Sequence, residues 1–212
     1  MAAKKEQRSE ETKRSIISAA EKLFGEKGYE AVTIREIAKE AGCSHTTIYI
    51  YFQDKEALLH ALSIPMLLQL NAALDTLAAD AFLSADEKLR RMNERFIRFC
   101  LDHRSMYTLF FEAKSARSDE PASGLEVNRL RNHMFNIIIQ LLKTNLNLSE
   151  GEQILSCSRI YSYMLRGIIS TYTHSEESVD SIMSRLSPSF DDAFEALIFG
   201  FGRQINERRA DS

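Results

Sequence analysis

Residues 33–52, TIREIAKEAGCSHTTIYIYF, decide the fold. Ile34, Ile37, Ala38 and Ala41 recur at the i, i+3, i+4, i+7 spacing of one helix face. Thr33 stands ahead of them as an N-cap, and Gly42 follows where a left-handed residue ends a helix. Ser44 caps a second short helix that runs to about Phe52. Two helices crossing steeply on a tight turn need a small residue at the crossing, a turn residue that accepts positive φ, and an apolar anchor on the second helix. Ala38, Gly42 and Ile48 supply these in order, so the spacing predicts a helix-turn-helix.

An ordinary helical hairpin in a core has the same apolar positions, and the exposed face of the second helix separates the two. Ser44, His45, Thr46 and Thr47 are short donors and acceptors suited to base edges and phosphates. Tyr49, Tyr51 and Lys55 add phenol hydroxyls and a cation where phosphates run. A hairpin facing water carries Glu/Lys pairs there instead.

Outward from this motif the chain reads as helices. Residues 9–27 form the first, with Ser9 as cap, an apolar stripe of Ile16, Ile17, Ala20, Leu23 and Phe24, and Gly28 as stop. Asp54 caps a long helix to about Ala81, with a kink expected at Pro65. Ser84 with Glu87, and Ser149 with Glu152, have capping-box spacing. The former opens a helix to about His103, and further helices are expected at about 125–146, 149–173 and 188–207. Met106 to Phe111 is a short aromatic segment, SARSDEPASG (115–124) a loop, and His174 to Ser187 a polar loop with a helical turn. No segment has a convincing strand period. The expected fold is all-α with about nine helices: a helix-turn-helix domain at 1–53 joined by a long helix to a larger bundle at 54–212.

Composition agrees. The chain is 44% apolar and 27% charged, with 8 Gly and 3 Pro in 212 residues, a helical rather than strand-rich balance. Its net charge of −3 does not advertise a nucleic-acid binder, but the balance is uneven. Residues 1–55 hold 10 Lys/Arg and 9 Asp/Glu, and the remainder 17 and 21. Cys43, Cys100 and Cys157 lack metal or disulfide spacing, and the five histidines lack ligand spacing, so no metal and no cofactor is expected. The N-terminal stretch, charged on both signs, does not read as a signal peptide, and the longest apolar stretch is broken by Ser63, Pro65 and Gln69. A cytoplasmic protein without a membrane partner is the expectation.

Residues 9–60 resemble the DNA-binding domain of the TetR family of bacterial repressors. The resemblance rests on Leu23-Phe24-Gly25-Glu26-Lys27-Gly28-Tyr29, the Thr33 cap, the Ala38/Gly42 pair, and Ile48-Tyr49-Ile50-Tyr51-Phe52 leading into Lys55-Glu56-Ala57-Leu58-Leu59. It covers about a quarter of the chain and is specific. It implies that Arg35, His45 and Thr46 read bases of double-stranded operator DNA. Thr33, Ser44, Thr47, Tyr49, Tyr51 and Lys55 would hold phosphates, with Lys4, Lys5 and Arg8 trailing along the backbone.

The resemblance also implies that residues 54–212 hold a homodimer together and bind a small-molecule effector. The apolar stripes of the last two helices permit the first. Leu165, Ile168, Tyr172, Phe194, Leu197, Ile198 and Phe201 are the expected isologous interface, the alternative being that both helices bury into their own subunit. Gly200 and Gly202 inside the last helix suggest close backbone approach there. Phe96, Phe99, Cys100, Tyr107, Phe110, Phe111, Met134, Tyr161 and Met164 are the expected lining of a pocket for an apolar or aromatic effector, although such a stripe is more often core. Arg98 or His133 would meet an anionic group.

Two other readings compete. Cys43, beside the start of the recognition helix, would serve a redox-responsive repressor if its thiolate were stabilised there. A helical enzyme lacks support, since no Gly-rich phosphate loop, nucleophile elbow or HExxH occurs. A non-specific architectural DNA-binding protein would be strongly basic, and this chain is not.

Overall fold

A computed structural model describes residues 2–104, 126–148 and 151–210. Eight helices make up its regular structure, with no strand among the described residues: α1 (Ala2–Lys27), α2 (Ile34–Glu40), α3 (His45–Tyr51), α4 (Lys55–Ala79), α5 (Ala85–Asp102), α6 (Glu126–Leu146), α7 (Glu152–Tyr172) and α8 (Val179–Ala210). The aromatic segment at 106–111 and the loop at 115–124 lie outside the described residues.

The N-terminal helices form where their caps say they should. Thr33 and Glu36 close a full capping box: the Glu36 amide donates to Thr33 Oγ1 at 3.3 Å, and the Thr33 amide donates to Glu36 Oε2 at 2.9 Å. Ser44 Oγ accepts from the Thr47 amide at 3.1 Å, and Asp54 Oδ1 from the Ala57 amide at 2.7 Å. Gly28 and Gly42 take φ of +79° and +67°, the left-handed turns that end α1 and join α2 to α3. Ile16, Ala20, Phe24, Ile37 and Ile48 are almost wholly buried between these helices.

α1 starts seven residues earlier than its sequence signals suggest. The stretch AAKKEQRS contains good helix formers and no breaker, so the helix extends through it. Ser9 therefore lies inside α1 rather than at its cap, and its Oγ hydrogen-bonds the Tyr51 hydroxyl of α3 at 3.0 Å.

α4 connects the two parts. It packs on α1 at its start and along α5 and α6 further on. Its helix runs unbroken past Pro65. By length and composition it could cross a membrane, yet Leu58, Leu59, Leu62, Leu67, Leu70 and Leu74 are buried inside the bundle. Because Leu58, Leu59 and Leu62 belong to the same continuous core as Phe24 and Ile48, packing of the N-terminal part reaches beyond residue 53.

Two helix starts in the second part differ from expectation, and a third, at Ser84, is in place without its reciprocal cap. Ser84 Oγ accepts from the Glu87 amide at 3.2 Å, but the Glu87 carboxylate is engaged by Arg90 and Arg91. α7 starts at Glu152 behind Gly151, with no side-chain cap, and Ser149 lies outside the described residues. α8 begins at Val179 rather than near 188, with Ser178 Oγ accepting from the Ser181 amide at 3.2 Å. Val179, Ile182, Met183, Leu186 and Phe190 continue the apolar stripe through Pro188, which makes the expected loop helical.

Candidate DNA-binding surface

The helix-turn-helix presents α3 with one anchored face and one open face. Ile48 is fully buried and holds α3 against α2. His45 and Thr46 in the first turn are exposed, and neither side chain has a partner among the described residues. Arg35, in the first turn of α2, is likewise exposed and unengaged. Tyr49 is 53% exposed one turn further along α3. These four side chains offer a guanidinium fork, an imidazole and two hydroxyls without an internal competitor.

The other expected contacts are partly committed. Ser44 Oγ and Thr47 Oγ1 lie 2.8 Å apart, so the cap and the first turn brace each other. Thr33 Oγ1 donates to Glu36 Oε2 at 2.9 Å. Lys27 at 2.9 Å and the Thr33 donors pull the Glu36 carboxyl down to about 2. Tyr51 is half-buried and tied to Ser9, which turns its hydroxyl to α1. Lys55 departs furthest from its expected role. Its ammonium donates to the carbonyls of Tyr29, Val32 and Glu30 at 2.8, 3.1 and 3.5 Å and sits 4.2 Å from the centre of the Tyr29 ring. All three N–H groups are aimed at the α1–α2 connection, so Lys55 clamps that loop in this conformation.

Ile50 was not among the expected contacts, yet it is 75% exposed on the recognition helix. Its signal was available: an isoleucine outside the apolar stripe of a short capped helix has no core to enter. An apolar side chain there suits the methyl group of a thymine. The basic residues nearby are split between pairing and freedom. Lys22 and Lys27 pair with Glu40 and Glu36, whereas Lys5, Arg8 and Lys39 are exposed with no ion-pair partner among the described residues.

In the second part, three of the seven expected interface residues are buried and four are half-buried. Leu165, Phe194 and Phe201 are buried in their own subunit, and Phe194 stacks on Tyr161 at 4.9 Å. Ile168, Tyr172, Leu197 and Ile198 are half-buried and pack on the same core. A helical apolar stripe records that a face is buried, not which body buries it. The apolar residues that α7 and α8 leave outside are Leu155, Ile160, Tyr163 and Phe199. A side chain built at Gly167, Gly200 or Gly202 meets no atom within 4 Å, so nothing inside this subunit demands glycine there.

The expected effector lining also sits in the core. Phe96, Cys100, Met134 and Tyr161 are buried, Phe99 and Met164 pack beside them, and Tyr107, Phe110 and Phe111 lie outside the described residues. The Tyr161 hydroxyl donates to Asn93 Oδ1 at 2.8 Å, and burial pushes the phenol well above its ordinary value. Arg98 pairs with Asp180 at 2.5 Å, and His133 Nε2 lies 2.9 Å from Asp75 Oδ1. Buried Asn71 and Arg131 between α4 and α6 went unnoticed, since one polar residue inside an apolar stripe carries no distinctive sequence signal.

Residues 16–62 match the family of bacterial regulatory proteins described as the tetR family. The transcriptional regulator HbdR of Aromatoleum sp. (strain CIB) is 54% identical over 50 residues, which cover 24% of this chain and 22% of that protein. AcrR of Shigella flexneri is 40% identical over 58 residues, 27% of each. The matches thus span about a quarter of these relatives. Over most of the chain the likeness is one of fold. FadR from Bacillus subtilis, solved in complex with stearoyl-CoA, superposes with a TM-score of 0.60 at 21% identity, covering 87% of this chain and 97% of that one. PfmR from Thermus thermophilus gives 0.60 at 23% identity, covering 84% and 94%. The likeness to the tetR family in sequence thus lies in residues 16–62. These relatives and structures are transcriptional regulators.

Proposed function

We propose that this protein is a dimeric, ligand-responsive transcriptional repressor that reads a palindromic operator. The observation that carries the reading is the open first turn of α3, where His45 and Thr46 are exposed with no internal partner, as is Arg35 in the first turn of α2. Residues 1–53 form the DNA-binding domain, and 54–212 the dimerisation and effector domain. In the DNA-binding state the two recognition helices stand about 34–36 Å apart and enter successive major grooves. The dimer packs through the outward flanks of α7 and α8, where Ile160, Tyr163, Gly167 and Gly200 are open, with Leu197 and Ile168 at the edge.

The effector is a small apolar or aromatic molecule that enters the bundle among Phe96, Phe99, Cys100, Met134, Tyr161 and Met164, with Tyr107, Phe110 and Phe111 completing the lining. FadR was solved with stearoyl-CoA, a ligand with a long apolar chain, which supports an apolar ligand in this fold. Effector binding tilts α4 and moves the two DNA-binding domains out of register, with a coupling of about 1–3 kcal/mol. The protein works in the cytoplasm and needs no cofactor. The redox alternative has less support, because burial pushes the Cys43 thiol up and so disfavours the reactive thiolate.

Selection of bound sequences from random duplex DNA at physiological salt tests the proposal. Enrichment of a palindrome with half-sites about one helical turn apart is the expected result. Enrichment of single, unpaired half-sites would contradict a dimeric reader.

A further inference from the structure

The peptide unit that joins Val32 to Thr33 is gripped from both sides. Its carbonyl accepts from Lys55 Nζ of α4 at 3.1 Å, and its N–H donates to Glu36 Oε2 at 2.9 Å. Both grips continue outward. Lys27 of α1 pairs with Glu36 at 2.9 Å, and Lys55 also donates to the Tyr29 carbonyl at 2.8 Å. One chain therefore runs from Lys27 through Glu36 and the Val32–Thr33 peptide to Lys55. It ties the end of α1 to the start of α4 through the residue that opens α2. A carboxylate meets the N–H end of the peptide dipole and an ammonium meets its carbonyl end, so each bond strengthens the other.

Arg35 lies two residues beyond the gripped peptide. Of the seven residues of α2, only Ile37 and Ala38 are buried outright, and Ile34 is half-buried. Apolar packing thus fixes the second turn of α2, and the first turn depends on its cap and on what holds that cap. A guanidinium that reads a base edge must be placed within about 0.5 Å, which calls for supporting hydrogen bonds behind it. Lys55, whose N–H groups are aimed at protein carbonyls, has none left over for a phosphate.

We propose that Lys55 and Glu36 are positioning residues for base reading, orienting the first turn of α2 so that Arg35 reaches its base, while neither touches DNA. The proposal rests on the base-reading role given to Arg35 above. It assigns specificity to an ammonium whose sequence position suggests only a phosphate contact.

Operator selection and anisotropy titration of the full chain test it, with Lys55→Met, Arg35→Ala, His45→Ala and the double variant Lys55→Met/Arg35→Ala. Lys55→Met is expected to weaken operator binding roughly tenfold and to relax preference at the base pairs that Arg35→Ala relaxes. Preference at the positions that His45→Ala relaxes is expected to survive. Adding Arg35→Ala to Lys55→Met should cost less than about twofold more, because the two losses are one loss. The salt slope should keep its wild-type value, and Lys55→Arg, which retains N–H donors for the carbonyls, should restore most of the affinity. Additive losses would overturn the proposal. So would relaxed preference at the positions read from α3, which marks a general loosening of the head. A salt slope reduced by about 1 with all sequences weakened alike would also overturn it, in favour of a phosphate contact. Should Lys55→Met lose its helical circular dichroism, Glu36→Ala releases the other end of the same peptide and must give the same pattern. If Arg35→Ala alone costs nothing at the operator, the base-reading role itself fails; if it costs and the effects add, only the positioning role does.

Discussion

The DNA-binding head and the helical body obey the same packing physics but differ in how much local chemistry specifies. In the head, Thr33, Ser44 and Asp54 satisfy helix-end amides through their own side chains, and Gly28 and Gly42 take the only backbone that closes each turn. Boundaries and exposed faces follow from such short-range rules. In the body, α7 and α8 are long apolar stripes whose inward and outward faces are separated only by the neighbours they meet. Local rules locate a surface; a stripe alone does not tell core from interface.

The strongest way to break this comparison is at Phe194. The account makes it core, so Phe194→Ala should cost about 3–5 kcal/mol in urea unfolding. Loss of dimer mass with unchanged stability would instead return it to the interface. Lys55 sharpens the comparison from the head. Lys55→Met removes the clamp on the carbonyls of Tyr29 and Val32 and should cost about 1–3 kcal/mol of stability. A pure phosphate contact predicts no change in stability and a salt slope for DNA binding reduced by about 1.

The capping box gives a smaller effect with a definite pH signature. Thr33→Ala should cost about 1 kcal/mol near neutral pH. Glu36 has its carboxyl depressed from 4.5 to about 2 by Lys27 and Thr33, so its contribution is present at neutral pH and lost as pH falls through that window. Glu36→Gln should therefore flatten the acid limb of the stability curve between those values. An unchanged limb would remove the box from the account. The smallest effect belongs to Ile50, where Ile50→Ala should leave stability within about 0.5 kcal/mol while relaxing preference at a thymine in the selected sequence.

The limits of the sequence follow the same division. The helix-turn-helix, its caps and the exposure of Arg35, His45 and Thr46 were legible, because each depends on residues within four positions. The engagement of Tyr51 by Ser9 was not, since its partner lies 42 residues away. Nor was the Lys55 clamp, 26 residues from Tyr29. In the body, Pro188 concealed the start of α8 because a proline reads as a boundary, although Ile182, Met183 and Leu186 already kept the helical period. The inward turn of Phe194 and Phe201 needed the three-dimensional neighbours that no periodicity names.

The central claim is that the open first turn of α3 reads bases. Its most direct test is anisotropy titration of the selected operator and of an unrelated duplex, with wild type and His45→Ala, at one physiological salt concentration. The account predicts that His45→Ala weakens operator binding by about 1–3 kcal/mol and leaves binding to the unrelated duplex unchanged. Undiminished operator affinity, or an equal loss on both duplexes, would contradict it.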